Sequence, residues 1–403
     1  MTGAAYVVGT FDTKAEELRY VAALLHAAGL RVVTVDVGTK IPAADADLSA
    51  EAVAAFHSGG ADAVLNEGDR GVAVTAMSIA LKNCISARND VGGMIGLGGS
   101  GGTAIIAPTM RALPIGVPKL MVSTVAAGDV GPYVGIHDIA MLFPVTDIAG
   151  LNRLSRVILA NAAHALAGMM TRAVPVVADA KPTLGISMFG VTTPCVQQIT
   201  ARLTGDYECQ VFHANGPGGR AMEALAVARM LQGMVDLTTT EAADHLLGGV
   251  CTAGLERFDA LAKTGIPWVG SCGALDMVNF WAPETVPAKY RGRLFHAHNA
   301  NVTLMRTTAA ELEEIAAWIA AKLNISKGPV RLLLPEGGVS ALDAPGQKFH
   351  DPAANAALFN AFERHFAVSA NHQLIRVPHH INDAAFAETA ERHVRDIMPA
   401  LER

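Results

Sequence analysis

The sequence predicts an α/β fold of two doubly wound, mostly parallel-sheet, Rossmann-like domains, and three observations support this prediction. Short, continuously apolar runs alternate with segments of helical periodicity, which is typical of parallel strands covered by helices on both faces. Hydrophobic residues make up 51% of the chain and charged residues 17%, so large cores can be buried. The length of 403 residues exceeds what one hydrophobic core usually organises.

The first half contains six runs predicted as strands, most of them separated by enough residues for a helix. A helix over 14–28 follows the first strand, and we expect a capping box formed by Thr13 and Glu16 at its start. A long helix over 147–171 is expected to close this half. The predicted strands are AAYVVG (4–9), RVVTVD (31–36), DAVLN (62–66), GGMIGL (92–97), KLMVS (119–123) and IAMLFPV (139–145).

A segment with two prolines and no periodicity, AVPVVADAKPT (173–183), indicates the domain boundary. We therefore predict a nucleotide-binding α/β domain over 1–175 and a second, substrate-binding α/β domain over 180–403. The predicted strands of the second domain are TLGISMF (183–189), CQVFHA (209–214), VDLTT (235–239), WVGSC (268–272), RLFHAH (293–298), VRLLLP (330–335) and LIRVP (374–378).

Charge and cysteine content argue against several classes of function. The formal charge of -6 and the sequence pI near 6.2 provide no basic field for nucleic acid or an anionic membrane. The N-terminal segment has no basic region before its apolar stretch, and no apolar run reaches the roughly 20 residues that span a bilayer. Five scattered cysteines without a CxxC pair indicate neither a disulfide framework nor a zinc site. We therefore expect a cytoplasmic protein.

The strongest local signal is the glycine-rich segment GLGGSGGT (96–103), which lies between an apolar strand and a predicted helix. Glycines permit close approach to the backbone, and the N–H groups at a helix start attract phosphate oxygens. The segment follows about the fourth strand and lacks the acid of an NAD fingerprint, and Gly102 stands where a P-loop has lysine. We interpret it as a phosphate cradle of neither standard type. The alternative is a tight strand-to-helix turn.

A bound triphosphate needs cations and a metal ion near this segment. The nearest cations in neighbouring loops are Lys14 and Arg70. Magnesium prefers carboxylate ligands, and the candidate acids in these loops are Asp12, Glu67, Asp69 and Asp129.

Two further glycine segments follow predicted strands in the second half. HANGPGGRAMEAL (213–225) places Arg220 beside a helix start, which suits a carboxylate or phosphate. EGGVSALD (336–343) offers Ser340 as an anion ligand or helix cap. Plain turn geometry is an equal alternative for both. The predicted substrate-binding residues are His213, Asn215, Gly218, Gly219, Arg220, Gly337, Gly338 and Ser340.

Taken together, TFDTK (10–14), GLGGSGGT, FHANGPGGRAME and LLLPEGGVSALDAPGQ carry a resemblance over essentially the whole chain. The chain resembles the family of the ATP-binding N-terminal region of the tomato mosaic virus resistance protein and its uncharacterised bacterial relatives. This resemblance implies two α/β domains, ATP bound mainly by the first, and a homodimer. Plant relatives carry an additional C-terminal TIM barrel, which suggests a separate barrel protein as a partner. The nucleotide-binding residues that it implies are Thr10, Asp12, Thr13, Lys14, Gly98, Gly99, Ser100, Gly101 and Thr103.

Titratable residues gather at predicted strand ends of the second domain. His296 and His298 share one side of a strand and, with His213, make a hypothetical three-histidine metal site; polar-cleft or core histidines are the favoured alternative. Cys272 is a weaker candidate nucleophile, since a cysteine before a glycine turn is more often a small residue that fits. The predicted catalytic residues are Asp276, His296, His298 and Glu336.

Three functions are consistent with these patterns. The leading hypothesis is an ATP-dependent enzyme acting on a small carboxylated or hydroxylated metabolite, with the active site between the two α/β domains. The first alternative is a non-catalytic binding protein that responds to nucleotide. The second is a metal-dependent lyase or hydrolase that uses the histidines of the second domain.

Overall fold

A computed structural model describes residues 3–39, 45–175 and 181–398 of the chain. The chain divides into two compact units, Met1–Val176 and Val177–Arg403, called here the first and the second unit. Each unit is built on a parallel sheet with helices on both faces, so the predicted fold class is confirmed. Within the described residues, no helix combines the length and apolar composition needed to cross a bilayer.

The first unit alternates strands and helices from its first described residues. Short 3₁₀ turns, here Thr124–Ala127, are not numbered. The elements are β1 (Ala4–Gly9), α1 (Phe11–Ala27), β2 (Val32–Asp36), α2 (Ala50–Ala54), α3 (Asp62–Leu65), α4 (Arg70–Ser86), β3 (Val91–Gly98), α5 (Ser100–Ala112), β4 (Lys119–Ser123), α6 (Gly131–Val134), β5 (Ala140–Leu142) and α7 (Arg153–Thr171).

The five strands of the first unit form one parallel sheet in the order β2-β1-β3-β4-β5. Alternate residues of β1 enter opposite cores: Tyr6 packs with α4 and α5, whereas Val7 packs with α1 and α7. Both faces of the strand are therefore buried, which explains its continuous apolar sequence. The strand order reverses between β1 and β3, where sheets of this kind commonly bind ligands.

Three expectations for the first unit need correction. Residues 62–66 were predicted as a strand but contain the short helix α3, in which only Val64 is buried. The glycine-rich segment therefore follows the third strand of the unit. The closing helix begins at Arg153, where Asn152 caps it, and not at Asp147. Helix α1 begins at Phe11 with Thr10 as its N-cap, so the expected Thr13/Glu16 capping box does not start it.

The second unit contains more elements and a second kind of sheet. Its elements are β6 (Thr183–Met188), α8 (Thr193–Leu203), β7 (Glu208–His213), α9 (Pro217–Val227), β8 (Gly233–Thr238), α10 (Thr240–Leu247), α11 (Asp259–Thr264), β9 (Trp268–Gly273), β10 (Met277–Phe280), β11 (Phe295–Asn299), β12 (Val302–Arg306), α12 (Ala309–Asn324), β13 (Val330–Pro335), α13 (Pro352–His365), β14 (His372–Val377) and α14 (Ala384–Ile397).

Six strands of the second unit form a parallel sheet in the order β14-β13-β9-β8-β6-β7. Read from β7, this is the order of the first unit with one strand added at the far edge. The larger core lies on the face covered by α12 and α13, and the smaller core on the face covered by α8 and α14. The two units therefore share a winding order.

The remaining strands form a separate antiparallel sheet in the order β10-β12-β11. From its sequence, RLFHAH (293–298) is expected to be a strand of the parallel sheet. Neither β10 nor β12 is predicted from the sequence. The strand within that run, β11, instead pairs antiparallel with β12. One face of this sheet carries Met277 and Leu304, which pack on Phe349.

Candidate functional site

The candidate site is a cleft of about 670 Å³ at the carboxyl ends of β1 and β3 in the first unit. This is the point where the strand order reverses, so the loops after the two strands diverge and leave space between them. The cleft is lined by Thr10, Asp12, Thr13, Lys14, Val37, Thr39, Glu67, Gly68, Arg70, Ala73, Val74, Gly98, Gly99, Ser100, Gly101, Gly102, Ile105 and Asp147.

The loop after β1 supplies hydroxyl groups and one cation. Phe11 is buried and anchors the turn, because its N–H donates to the Asp36 carboxylate at 3.0 Å. The hydroxyls of Thr10 and Thr13 lie 2.8 Å apart. Helix α1 is kinked at Lys14, whose backbone φ of -135° and ψ of 21° are not helical. The Lys14 ammonium donates to the carbonyl of Ile148 at 2.9 Å, which fixes its position in the cleft.

The loop after β3 brings the start of α5 to the cleft. Gly98 must be glycine here, since a Cβ on it would lie 2.9 Å from the Gly102 Cα. The N-cap residue Gly99 has no side chain to accept from the first turn of the helix. The N–H groups at this helix end therefore face the cleft without a capping side chain, the arrangement that binds anions at helix starts.

Thr103 does not belong to the cleft lining, which corrects its expected contact with nucleotide. Its side chain is fully buried, and its hydroxyl donates to the Gly99 carbonyl at 2.8 Å. The same hydroxyl lies 2.6 Å from the Ser123 hydroxyl. Thr103 therefore ties the glycine-rich turn to the end of β4. The other eight residues that the resemblance implied do line the cleft.

Arg70 places a second positive charge beside the glycine-rich turn. A Cβ on Gly101 would lie 3.8 Å from the Arg70 Nη2. Arg70 is the first residue of α4, and Asp69 caps that helix by accepting from the N–H groups of Gly71 and Val72. Among the described residues, Arg70 forms no ion pair. Its guanidinium is therefore available to a ligand.

The acids proposed as metal ligands divide into two groups. Asp12 and Glu67 line the cleft, whereas Asp69 caps α4 and Asp129 accepts from the N–H of Gly131 outside the lining. Asp147, from the loop before α7, also lines the cleft and was not proposed.

Several further residues of the cleft lining, most of them apolar, were not predicted from the sequence. Val37 and Thr39 follow β2, and Ala73, Val74 and Ile105 come from α4 and α5. The residues after β2 were detectable, because they follow a predicted strand that neighbours β1. The helical residues gave no comparable signal, since their apolar side chains look like core positions.

In the second unit, the predicted cradle around Gly218 is already filled by a carboxylate of the chain. Glu241 accepts from the N–H groups of Gly216 at 2.7 Å and Gly219 at 3.1 Å. Glu241 is fully buried, and its other oxygen accepts from Arg257 at 2.8 Å. Burial raises the pKa of Glu241, and Arg257 opposes that shift.

The flanking residues of this cradle have different surroundings. Gly218 lies against the His213 backbone, where a Cβ would meet the carbonyl oxygen at 1.9 Å. The His213 ring stacks on Phe189 with centroids 5.1 Å apart. Asn215 is half-buried and Arg220 is exposed.

Asp276 and Ser340, predicted separately, meet in a buried polar cluster. The Ser340 hydroxyl donates to Asp276 at 2.7 Å, and the Ser340 carbonyl lies 2.9 Å from the His380 Nε2. Burial, with the nearby Asp343 carboxylate, raises the pKa of Asp276 to about 7. Gly337 and Gly338 hold the loop against His380, where a Cβ on Gly337 would lie 2.4 Å from a backbone nitrogen.

Glu336 and the histidines do not join this cluster as a catalytic group. Glu336 is half-exposed and accepts from Arg376 at 2.8 Å. His296 and His298 lie on β11, whereas His213 ends β7 in the other sheet. No group of three or more metal-binding side chains occurs in the described ranges, so the three-histidine site is not formed there. Cys272 is fully buried, and burial raises its pKa, which contradicts a role as nucleophile.

Comparison with known sequences identifies the family. Residues 3–175 match the N-terminal domain of an uncharacterised protein family (UPF0261), and residues 181–398 match its C-terminal domain. The chain belongs to the UPF0261 family. A UPF0261 protein of Rhizobium meliloti is 58% identical over 97% of this chain and 98% of its own length. A UPF0261 protein of Mesorhizobium japonicum is 56% identical over 95% of this chain and 96% of its own length.

A plant relative of this UPF0261 chain is longer. The ToMV resistance protein Tm-1(GCR237) of Solanum lycopersicum is 41% identical over 98% of this chain and 56% of its own length. The resemblance stated from the sequence is therefore confirmed. A solved E-2-(acetamidomethylene)succinate hydrolase is 9% identical over 54% of this chain and 91% of that chain. The TM-score of 0.27 is too low to indicate a shared fold.

The first-unit cleft of this UPF0261 chain combines an uncapped helix start with cations, acids and apolar residues. Arg70 lies beside the helix start of α5, and Lys14 and the apolar residues Val37, Val74 and Ile105 belong to the same lining. The acids Asp12, Glu67 and Asp147 also belong to the lining, but they do not come together as a three-ligand metal site in the described residues.

Proposed function

We propose that this UPF0261 protein binds ATP with Mg²⁺ in the first-unit cleft. The observation that carries the proposal is the uncapped start of α5, which opens into a cleft that Arg70 and Lys14 also line. A triphosphate carries several negative charges within a few ångströms, and a helix start alone offers only about half a charge. Arg70 beside the helix start, and Lys14 in the same lining, would supply the further positive charge that a triphosphate needs.

The parts of the cleft correspond to the parts of the nucleotide. The N–H groups of Ser100 and Gly101 would donate to phosphate oxygens, with Arg70 alongside and Lys14 held in place by the Ile148 carbonyl. Mg²⁺ would be held mainly by the phosphates, with one of the lining acids Asp12, Glu67 or Asp147 contacting it directly or through water. Val37, Val74 and Ile105 form an apolar wall of the kind on which a base rests.

For the whole chain we propose an ATP-dependent enzyme that acts on a small carboxylated or hydroxylated metabolite. We propose that it is a cytoplasmic homodimer. Because the tomato relative extends beyond the matched region, we also retain a separate TIM-barrel protein as a proposed partner. In this proposal, nucleotide turnover depends on an added small acid or alcohol.

The first experiment is calorimetric titration of the full chain with ATP in the presence of Mg²⁺. Gly101→Val places a branched side chain in the cleft, and we expect it to abolish binding. Its control is Gly168→Val, since Gly168 is also a helix glycine and has open space around its Cβ position. Arg70→Ala removes a charge-assisted contact of about 1.5–3 kcal/mol, so we expect Kd to rise roughly ten- to a hundredfold.

The control for Arg70→Ala is Arg220→Ala, which removes an exposed arginine from the first turn of α9. We expect this variant to bind ATP as the wild type does. Omitting Mg²⁺ should weaken binding of ATP. Wild-type protein that is folded but does not bind ATP would refute the proposal, as would ATP binding that Gly101→Val leaves unchanged.

A further inference from the structure

We propose that a second cleft, within the second unit, binds a small monocarboxylate whose apolar body bears a hydroxyl or carbonyl group. The cleft has a volume of about 550 Å³ and lies between residues 283–291 and the antiparallel sheet. This volume is in the usual range for small-molecule sites. The lining consists of Pro283, Glu284, Val286, Pro287, Tyr290, Arg291, Phe295, Ala297, Thr303 and Lys348.

The observation that points to a ligand is an unpartnered hydroxyl in the lining. Thr303, in the central strand β12, is only 4% exposed, and its Oγ1 has no hydrogen-bond partner among the residues that the structure describes. A buried hydroxyl without a partner is costly, so such groups usually have one. Thr307, just beyond the same strand, shows the ordinary case, since its hydroxyl donates to the Leu275 carbonyl at 2.9 Å. Rotation of the Thr303 side chain about χ1 would turn this hydroxyl toward the cleft, where a ligand would give it the partner that it lacks.

The walls of the cleft are apolar and held in place from behind. Thr303 on β12 lies opposite Ala297 on β11 and opposite Phe280 on β10. Tyr290 is buried, lies 5.7 Å from the Phe280 ring, and donates its hydroxyl to the Leu247 carbonyl at 2.6 Å. Segment 283–291 is therefore fixed over the sheet by Tyr290. This leaves the apolar faces of Val286 and Phe295 on the ligand side.

The charged residues of the lining favour a single negative charge on the ligand. Arg291 and Lys348 are both exposed, and neither forms an ion pair with any described residue. Glu284 is the one acid of the lining, so the sum of formal charges is two minus one, or plus one. The planar guanidinium of Arg291 matches a carboxylate in a bidentate arrangement. No residue of this lining begins an α-helix, in contrast to a site built for phosphate.

The ligand therefore has polar groups at two ends. Its carboxylate contacts Arg291 and Lys348 on the exposed side, and a hydroxyl or carbonyl group contacts Thr303 on the buried side. The apolar body between them packs on Val286, Pro287 and Phe295. This inference does not depend on nucleotide binding, because every residue that it uses belongs to the second unit.

The test uses para-hydroxybenzoate as the probe, titrated into the full chain without nucleotide. Benzoate lacks the hydroxyl and para-hydroxybenzamide lacks the charge, so the three ligands separate the two polar contacts. We expect para-hydroxybenzoate to bind at least fivefold more tightly than benzoate and tenfold more tightly than the amide. Absence of binding at millimolar concentration, or equal affinity for acid and amide, would overturn the proposal.

Two variants assign the contacts. Thr303→Val keeps the shape but removes the hydroxyl, so the advantage of para-hydroxybenzoate over benzoate should disappear while benzoate affinity stays the same. The same variant without ligand should have a Tm at least as high as wild type, because no hydrogen bond is lost. Arg291→Gln should weaken both acids about tenfold, whereas Lys289→Gln, on the same segment but outside the lining, should not. An advantage that survives Thr303→Val would place the probe elsewhere and overturn the assignment.

Discussion

The two units use the same backbone feature in opposite ways. In the first unit, the glycine-rich turn before α5 leaves its helix start open to a cleft beside Arg70. In the second unit, the N–H groups of Gly216 and Gly219 bind the carboxylate of Glu241. Both turns follow a parallel strand and precede a helix. The helix start of α5 has no capping side chain, whereas that of α9 is occupied by a carboxylate of the chain.

The difference arises from a residue distant in sequence. Glu241 lies on α10, and its position is fixed by Arg257, which also donates to Glu223 at 3.1 Å and Asp236 at 2.8 Å. A glycine turn thus indicates where an anion can lie without indicating which molecule supplies it. In the second unit the anion is part of the core and contributes to folding.

The largest effect is expected from Arg257→Met. This change leaves three carboxylates, Glu223, Asp236 and Glu241, without their shared buried cation, and breaking such a pair costs about 3–5 kcal/mol. We expect a large loss in the free energy of unfolding of the second unit. Urea unfolding followed by tryptophan fluorescence measures it selectively, because all three tryptophans (Trp268, Trp281 and Trp318) lie in that unit.

The matched control is Arg220→Met, which removes an exposed arginine near the same cradle. We expect its unfolding midpoint to stay close to that of the wild type, since exposed charges contribute little. If the urea midpoint of Arg257→Met equals that of the wild type, the ion pairs of Arg257 are not what holds Glu241 in the cradle.

The next effect concerns pH and Asp244, which lies one turn after Glu241 on α10. Burial raises the pKa of Asp244 from its ordinary value of 3.8 to about 7, although Asn279 donates to both of its oxygens. The folded state therefore holds a proton that the unfolded state releases. The free energy of unfolding should fall as pH rises from about 4 to about 7, by up to roughly 4 kcal/mol, because each pKa unit corresponds to about 1.4 kcal/mol.

Asp244→Asn removes this titration and should flatten the pH dependence of unfolding between pH 4 and 7. Urea unfolding at a series of pH values, again followed by tryptophan fluorescence, makes the comparison. Asp259→Asn is the control, since Asp259 forms a part-exposed ion pair with Lys322 at 2.6 Å. If the free energy of unfolding of Asp244→Asn depends on pH as steeply as that of the wild type, other acids of the second unit, such as Asp276, dominate the pH dependence.

The fold class was predictable because most strands are buried on both faces. Strand β1 (AAYVVG) has no charged residue and is buried at every position, and that pattern is plain in one sequence. The strand predicted for residues 62–66 was wrong because a short apolar run fits a strand and a helical turn equally well. The antiparallel sheet escaped detection because pairing of β10, β11 and β12 depends on contacts between distant segments.

The candidate site was predictable only in part. The residues after β1 and β3 are recognisable because ligands bind at the carboxyl ends of parallel strands. Arg70 was named as coming from a loop after a strand, yet it begins a helix and reaches the cleft by packing of α4 beside α5. Thr103 has a hydroxyl next to the glycines, and only the structure shows that it points to Ser123. Side-chain direction of this kind depends on tertiary packing.

The smallest effects give the most direct comparison of the two cradles, through Gly219→Ala and Gly101→Ala. Both glycines lie in the first turn of a helix, and neither has a positive φ. A Cβ on Gly219 would lie 2.1 Å from the Glu241 Oε2, whereas the nearest atom to a Cβ on Gly101 is the Arg70 Nη2 at 3.8 Å. Only the first position is therefore crowded.

We expect Gly219→Ala to destabilise the second unit by about 1–3 kcal/mol, because Glu241 is held by Arg257 and cannot move aside. Gly101→Ala should be neutral or stabilising by up to about 1 kcal/mol, since alanine is the better helix residue. Hydrogen exchange measured separately over α9 and α5 distinguishes the two effects. If the two substitutions change stability equally, the Glu241 carboxylate moves away from Gly219 at little cost. The second cradle would then be as open to an external anion as the first.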